Sequence, residues 1–303
     1  MQWRGETETD RGFRDYFQNR RIPVELIVRN PKQDRTNFPA IVEEIKRLKP
    51  DLVYTWSMAS AQGITGPRNA DTPSNYVRDI PIVNCMVSDP GVAGISEGWG
   101  PSGGNFTGVS HVPDIASQLR AMQNYRDIKR IFTIYDPQQK SPVTAVEALR
   151  SLTKEQGIEF KALPLPIKAD GKTDASAIPE LVAQANDFKP DFFYIGPDSF
   201  LYVNRKPLFD AIAKVGVPSF AASDAFLTKG DALFGLVGNY YIVGQYCASK
   251  AVRILTEGTK PGDIPFDRVT RFSLKVNMSA AQRLKIYPPM DLLTITEVIK
   301  APK

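Results

Sequence analysis

Short runs rich in valine, isoleucine, phenylalanine and tyrosine alternate with amphipathic stretches along nearly the whole chain, and this alternation constrains the fold more than any other feature. The pattern predicts helices near 10–20, 39–48, 114–126, 142–157, 175–187, 206–215 and 240–257. Strands are predicted at 24–30, 52–56, 80–87, 130–136, 159–166, 191–196, 218–223, 233–239 and within 268–277. Punctuation agrees with the periods. Asp114 reads as an N-cap, and Ser141 reads as another, with Pro142 at the first helical position and Gly157 closing the end. Parallel strands need crossovers of about a dozen residues, and helices of these lengths supply them. The expectation is an α/β fold of parallel sheets with helices on both faces.

The chain also echoes itself. IVEEIKRLKPDLVYTW (41–56) and LVAQANDFKPDFFYIG (181–196) share a pattern and an identical Lys-Pro-Asp, offset by 140. Each copy is followed by a proline-led strand ending in Ser-Asp: Pro81 to Ser88-Asp89, and Pro218 to Ser223-Asp224. Solenoid repeats recur every ~20–50 residues, so this is not one. With 303 residues, two doubly wound lobes of roughly 150 residues each account for the echo. Chance likeness among βα units is the alternative.

Composition narrows the function. Lys and Arg number 38 against 33 Asp and Glu, a net charge of +5 with the signs interspersed, so no basic stripe for nucleic acid is present and no nucleic-acid partner is expected. One histidine, His111, and two cysteines, Cys85 and Cys247, argue against multi-histidine metal sites, zinc ribbons and CxxC redox motifs. The two thiols are expected to pack as small hydrophobes, with a disulfide left open. No apolar run approaches the ~20 residues that span a bilayer. Met1-Gln2-Trp3 reads as the stub of a first strand, and more strand with an export signal is expected upstream.

Open α/β sheets hold ligands beyond the carboxyl ends of their strands. After the stub come Arg4, Glu6 and Thr7; after 52–56 come Trp56, Ser57 and Met58; then Ser88 and Asp89. Later strands deliver Asp136, Gln138 and Ser141; Asp198, Ser199 and Phe200; and Ser223, Asp224, Ala225 and Phe226. Hydroxyls suit a carboxylate, aspartates an ammonium, and aromatic faces an apolar or cationic portion. Each residue alone would serve equally well as a helix cap or turn former.

Enzyme signatures appear and fail. Gly94-Ile95-Ser96-Glu97-Gly98 spells a nucleophile elbow, but the preceding strand ends near Val87, well short of the serine. Gly171-Lys172-Thr173 resembles the end of a P-loop, yet Pro166 stands where its first glycine belongs. GxGxxG is missing, which weighs against a dinucleotide; no cofactor and no catalytic residue are expected.

LKPDLVYTWSMASAQ (48–62), IPIVNCMVSDP (80–90), PSGGNFTGVS (101–110), IKRIFTIYDPQQKSP (128–142), PSFAASDAFLTKGDALFGLVGNYY (218–241) and FSLKVNMSAAQRLKI (272–286) together resemble the substrate-binding proteins of ABC importers, in a branch linked to tryptophan or tyrosine uptake. The resemblance implies a type I periplasmic-binding fold, two lobes joined by a three-strand hinge with the ligand in the cleft. Crossings placed near 107–112, 222–226 and 272–277 give one lobe of 1–108 plus 225–271 and another of 109–224 plus 272–303. It further implies an extracytoplasmic, monomeric protein that delivers an amino acid or related carboxylate to ABC permease transmembrane subunits by hinge closure. Ser57 and Ser141 would hold the carboxylate, Asp89, Asp198 or Asp224 the ammonium, and Trp56, Phe200 and Phe226 the walls. Rivals are the effector core of a transcriptional regulator, which needs a helix-turn-helix ahead of residue 1, and an extracytoplasmic sensor domain. A hydrolase using aspartate pairs ranks last.

Overall fold

The Lys-Pro-Asp echo marks one local device used twice. Lys49 ends the helix Phe38–Leu48 and Lys189 ends the helix Ala185–Phe188, each at a left-handed φ of 47° and 50°. Each lysine N–H bonds back to the carbonyl four residues earlier, Ile45 at 2.9 Å and Ala185 at 2.8 Å. Proline then blocks further helix, and the chain enters a strand. The computed structural model describes residues 1–3 and 5–299.

The chain divides into two compact units, Met1–His111 with Asn239–Arg271, and Val112–Gly238 with Phe272–Lys303. In the first, β1 (Val53–Trp56), β2 (Ile82–Cys85), β3 (Phe106–Ser110) and the two-residue β9 (Asp267–Arg268) form a parallel sheet in that order. In the second, a seven-stranded sheet runs β11 (Thr296–Ile299), β10 (Phe272–Asn277), β8 (Phe234–Gly238), β7 (Ser219–Ala221), β6 (Phe192–Ile195), β4 (Arg130–Tyr135), β5 (Glu159–Pro164). Only the β10–β8 pair is antiparallel in that sheet. Its inner strands β4 and β6 are buried on both faces: Phe132, Phe193 and Ile195 enter one core, and Ile131, Phe192 and Tyr194 the other. That is why these strands read as continuous apolar runs.

Four expectations differ from the structure. The second crossing falls after Gly238, not at 222–226, because β8 pairs with β7 and β10 and keeps residues 225–238 in the second unit. The strand expected within 268–277 splits into β9 and β10, one in each unit. The run at 24–30 is not a paired strand; its one ladder-like contact is the Gln2 N–H to Arg29 O at 2.9 Å. A strand exists through its neighbours, and among the described residues this run forms no ladder. Ser141 also lies inside the first turn of the helix Lys140–Glu155, whose N-cap is Gln139.

Cys85 and Cys247 form a disulfide, the alternative left open beside their packing as small hydrophobes. Their Cα atoms lie 6.2 Å apart, within the range a bridge spans. The bond ties β2 to the helix Tyr240–Glu257, within one unit. That helix also packs closely on the helix Glu8–Asn19: a Cβ at Gly244 would sit 2.0 Å from Thr9 O, and one at Gly12 2.1 Å from Tyr241 O. Only glycine permits such an approach.

Candidate functional site

In the first unit the end of β1 and the loops after β1 and β2 carry expected residues. Ser57 follows β1 at φ 94°, a region that L-residues rarely adopt, and is held there by its N–H to Cys85 O at 3.0 Å. Its Oγ accepts the Ser60 N–H at 3.2 Å and so caps the short helix Met58–Ile64. Met86, after β2, also takes a positive φ of 61°, its N–H bonded to Val109 O at 3.1 Å. Backbone strain of this kind costs on the order of 1–3 kcal/mol per residue and gathers where geometry serves binding. Ser88 O accepts the Ser110 hydroxyl at 2.9 Å, which locks the β2 and β3 loops together. Asp89 Oδ1 accepts the Val92 N–H at 2.9 Å. Trp56 is 6% exposed, and Met58 packs on the unit's core.

Ahead of these, Thr7 caps the helix Glu8–Asn19 in a reciprocal box with Asp10, and Glu6 pairs with Arg14. Arg4 lies outside the described residues.

The second unit builds a denser polar cluster. Asp198 is 3% exposed; its Oδ2 accepts the Asp136 N–H at 2.8 Å and its Oδ1 the Leu201 N–H at 2.9 Å. Asp136, 4% exposed, accepts the Thr173 hydroxyl at 2.6 Å and the Gln138 N–H at 3.0 Å on Oδ1, and Gln139 Nε2 at 2.8 Å on Oδ2. Gln139 Oε1 accepts the Ser199 N–H at 3.2 Å, so one amide bridges both loops. Gln138 Nε2 donates to Gly171 O at 2.7 Å. Sequence reasoning gathered Asp136, Gln138, Asp198 and Ser199 but missed Gln139 and Thr173. Thr173 closes the sequence that imitates a P-loop, and its hydroxyl fastens that loop to Asp136.

Burial pushes the Asp198 carboxyl up to about 6, with the Asp136 charge adding to this and the backbone N–H bonds opposing it. A carboxyl raised in the folded state stabilises below its unfolded value of about 4, and that contribution is lost as pH rises through about 6. The melting midpoint of the wild type should therefore fall relative to Asp198→Asn between pH 4 and pH 7, measured by paired thermal melts. A flat difference across that window would mean the carboxyl is ionised throughout.

Two other expected residues are engaged internally. Asp224 pairs with Lys275 at 3.0 Å, and Lys275 also reaches Glu297 at 3.4 Å. Burial lowers the Lys275 pKa, but Asp224 and Glu297 outweigh it and raise the net value. Phe226 is 1% exposed and packs edge-on against Tyr202 and Phe209 in the core, where it presents no face to a ligand. Phe200 is half-buried on the same core, Ala225 precedes Phe226 in the helix Asp224–Thr228, and Ser141 is half-buried in its helix's first turn. Ser96, of the elbow-like motif, lies in a loop and donates to Gly98 O at 2.7 Å, with no strand delivering it. Among the described residues no group of three or more His, Cys, Asp or Glu could hold a metal ion, and no helix is long and apolar enough to cross a membrane.

Strained backbone and closed polar networks thus gather at strand ends in the described residues. The profile of the ABC transporter substrate binding protein family matches residues 8–299. The chain belongs to that family. It is a substrate-binding protein and not an enzyme. A tyrosine-binding protein of Clostridioides difficile is 24% identical to it over 277 residues, 91% of this chain and 73% of that protein. Among solved structures, a conserved domain protein of Vibrio cholerae O1 biovar El Tor superposes with a TM-score of 0.80 at 20% identity, covering 99% of this chain and 97% of the other. A Streptococcus pneumoniae ABC domain in complex with L-Trp gives a TM-score of 0.78 at 20% identity over 98% of each chain. These likenesses show that the substrate-binding protein shares their fold, the type I periplasmic-binding architecture that the sequence resemblance implied.

Proposed function

We propose that this substrate-binding protein is the extracytoplasmic solute receptor of an ABC importer, that it takes an amino acid with an aromatic side chain, and that it hands it to the permease by hinge closure on the ligand. The family match over residues 8–299 carries this reading. The tyrosine-binding relative and the L-Trp complex favour the ligand class. The Cys85–Cys247 disulfide favours an oxidising compartment, since structural disulfides are rare in reducing cytosol.

Of the three aspartates considered for the ammonium, Asp198 is consumed by two backbone N–H groups and Asp224 by Lys275. Asp89, half-buried with one backbone N–H on Oδ1, is the carboxylate we assign to the ammonium. Ser57 and its neighbouring backbone take the carboxylate, and Trp56 supplies the aromatic wall. The test is a thermal-shift series with L-tyrosine, L-tryptophan, aliphatic amino acids and sugars. Ligand at 100-fold its Kd adds about 2.7 kcal/mol, enough to raise the melting midpoint by several degrees. Asp89→Asn should weaken binding by roughly 2–5 kcal/mol if the charge pair is desolvated. A shift with sugars alone would refute the ligand class, and unchanged affinity in Asp89→Asn would refute that residue's role.

A further inference from the structure

Within the first unit, two of the proposed ligand contacts hang on Cys85. This residue ends β2, between β1 and β3, in register with Trp56 on one side and Val109 on the other. Its carbonyl accepts the Ser57 N–H at 3.0 Å, the bond that holds Ser57 at φ 94°. The residue after it, Met86, is at φ 61°, with its N–H on Val109 O at 3.1 Å. Ser57 and Met86 each follow directly on the Trp56–Cys85 pair, so both departures from strand geometry start from one point of the sheet. Conformations of this kind persist only where the surroundings over-determine them.

The Cys85 side chain is bonded to Cys247 of the helix Tyr240–Glu257. That helix is held by other contacts on either side of the bridge. Lys250, just after Cys247, donates to Gly108 O at 2.8 Å and Pro265 O at 2.5 Å, and Gly244, just before it, lies against the Thr9 carbonyl. The bridge therefore ties the point from which Ser57 and Met86 depart to an element that is fixed without it.

We propose that the Cys85–Cys247 bridge positions the ligand-binding turn: the two cysteines set the place of Ser57 and of the Trp56 wall. This rests on the assignment of Ser57 and its neighbouring backbone to the ligand carboxylate and of Trp56 to the aromatic wall. A loop already held in its bound geometry loses less freedom on binding, so preorganisation appears as affinity. Without the bond, Ser57 relaxes toward ordinary backbone angles, its N–H leaves the Cys85 carbonyl, and the carboxylate seat is no longer preformed. Discrimination in favour of the carboxylate then falls together with affinity. A bridge acting only on the unfolded chain would change neither in the folded protein.

The test compares the wild type with Cys85→Ala combined with Cys247→Ala, well below either melting midpoint. Amide hydrogen exchange at 57–61 should speed up at least about tenfold in the variant, while Ile82 at the other end of β2, bonded to Asn105 O at 2.9 Å, stays unchanged. In calorimetric titrations L-tyrosine should bind about tenfold more weakly, and the preference for L-tyrosine over its neutral amide, L-tyrosinamide, should shrink at least about fivefold. Exchange that rises equally at both ends of β2, or not at all, would overturn the proposal, as would an unchanged preference for the carboxylate. If the alanine pair does not fold, Cys85→Val with Cys247→Ala restores part of the lost volume without the bond and is read in the same way. A wild type that binds neither L-tyrosine nor L-tryptophan would refute the proposed ligand class instead, and the exchange pattern alone then decides the role of the bridge.

Discussion

Replacing both cysteines, Cys85→Ala with Cys247→Ala, will lower the melting midpoint of the first unit by on the order of 10–20 °C. The bridge closes a loop of 162 residues, for which chain entropy alone corresponds to about 5 kcal/mol of unfolded-state destabilisation. Both residues are fully buried, so the bond also holds β2 against the helix Tyr240–Glu257 with no solvent route for a reductant. Calorimetry on the wild type and the double variant measures this directly, since alanine leaves little unsatisfied behind. A change of less than about 2 °C would show that helix packing through Gly12 and Gly244 already fixes this element. Because the second unit contains neither cysteine, its transition should not move.

That bridge illustrates what was and was not legible in the chain. Two cysteines 162 positions apart carry no sign of adjacency until the fold brings β2 beneath a helix from the far end of the sequence. Local devices, by contrast, were readable. The helix Tyr240–Glu257 lies where its period placed it, capped by the Asn239 side chain and closed by Gly258 at φ 68°. The repeated Lys-Pro-Asp marks two equivalent helix-to-strand turns. The crossing near Gly238 was misplaced because LFGLVGN has a strand's period whichever unit it joins; pairing with β7 and β10 decides membership. The same limit governs the site. Asp198, Asp224 and Phe226 sit at strand ends as expected, but their engagement depends on Asp136, Lys275 and Phe209, residues brought near only by the sheet. Strand-end position is a local property, whereas a free carboxylate or an exposed ring is a tertiary one. Gln139 was passed over for the same reason: a glutamine before a helix looks solvent-facing until two loops close on it.

Lys250→Met should destabilise the first unit by about 3 kcal/mol, with a melting midpoint lower by on the order of 6–12 °C. The lysine side chain is 3% exposed, and its ammonium is held by Gly108 O at 2.8 Å, Pro265 O at 2.5 Å and Asp267 Oδ1 at 2.6 Å. Burial lowers its pKa, and the Asp267 carboxylate opposes that shift. Methionine keeps the volume and removes all three donors, leaving two carbonyls and a carboxylate without them. Asp267 retains partial exposure and the Tyr246 hydroxyl at 2.8 Å, which holds the loss toward the lower end for a broken buried pair. The residue matters beyond stability because it pins the helix Tyr240–Glu257 to β3 and β9, and the chain leaves this unit just beyond those strands, after His111 and Arg271. If the clamp acts as a pair, Lys250→Met combined with Asp267→Asn will lose clearly less than the sum of the single variants. Strict additivity would place the lysine's contribution in its bonds to the Gly108 and Pro265 carbonyls, with the carboxylate a bystander.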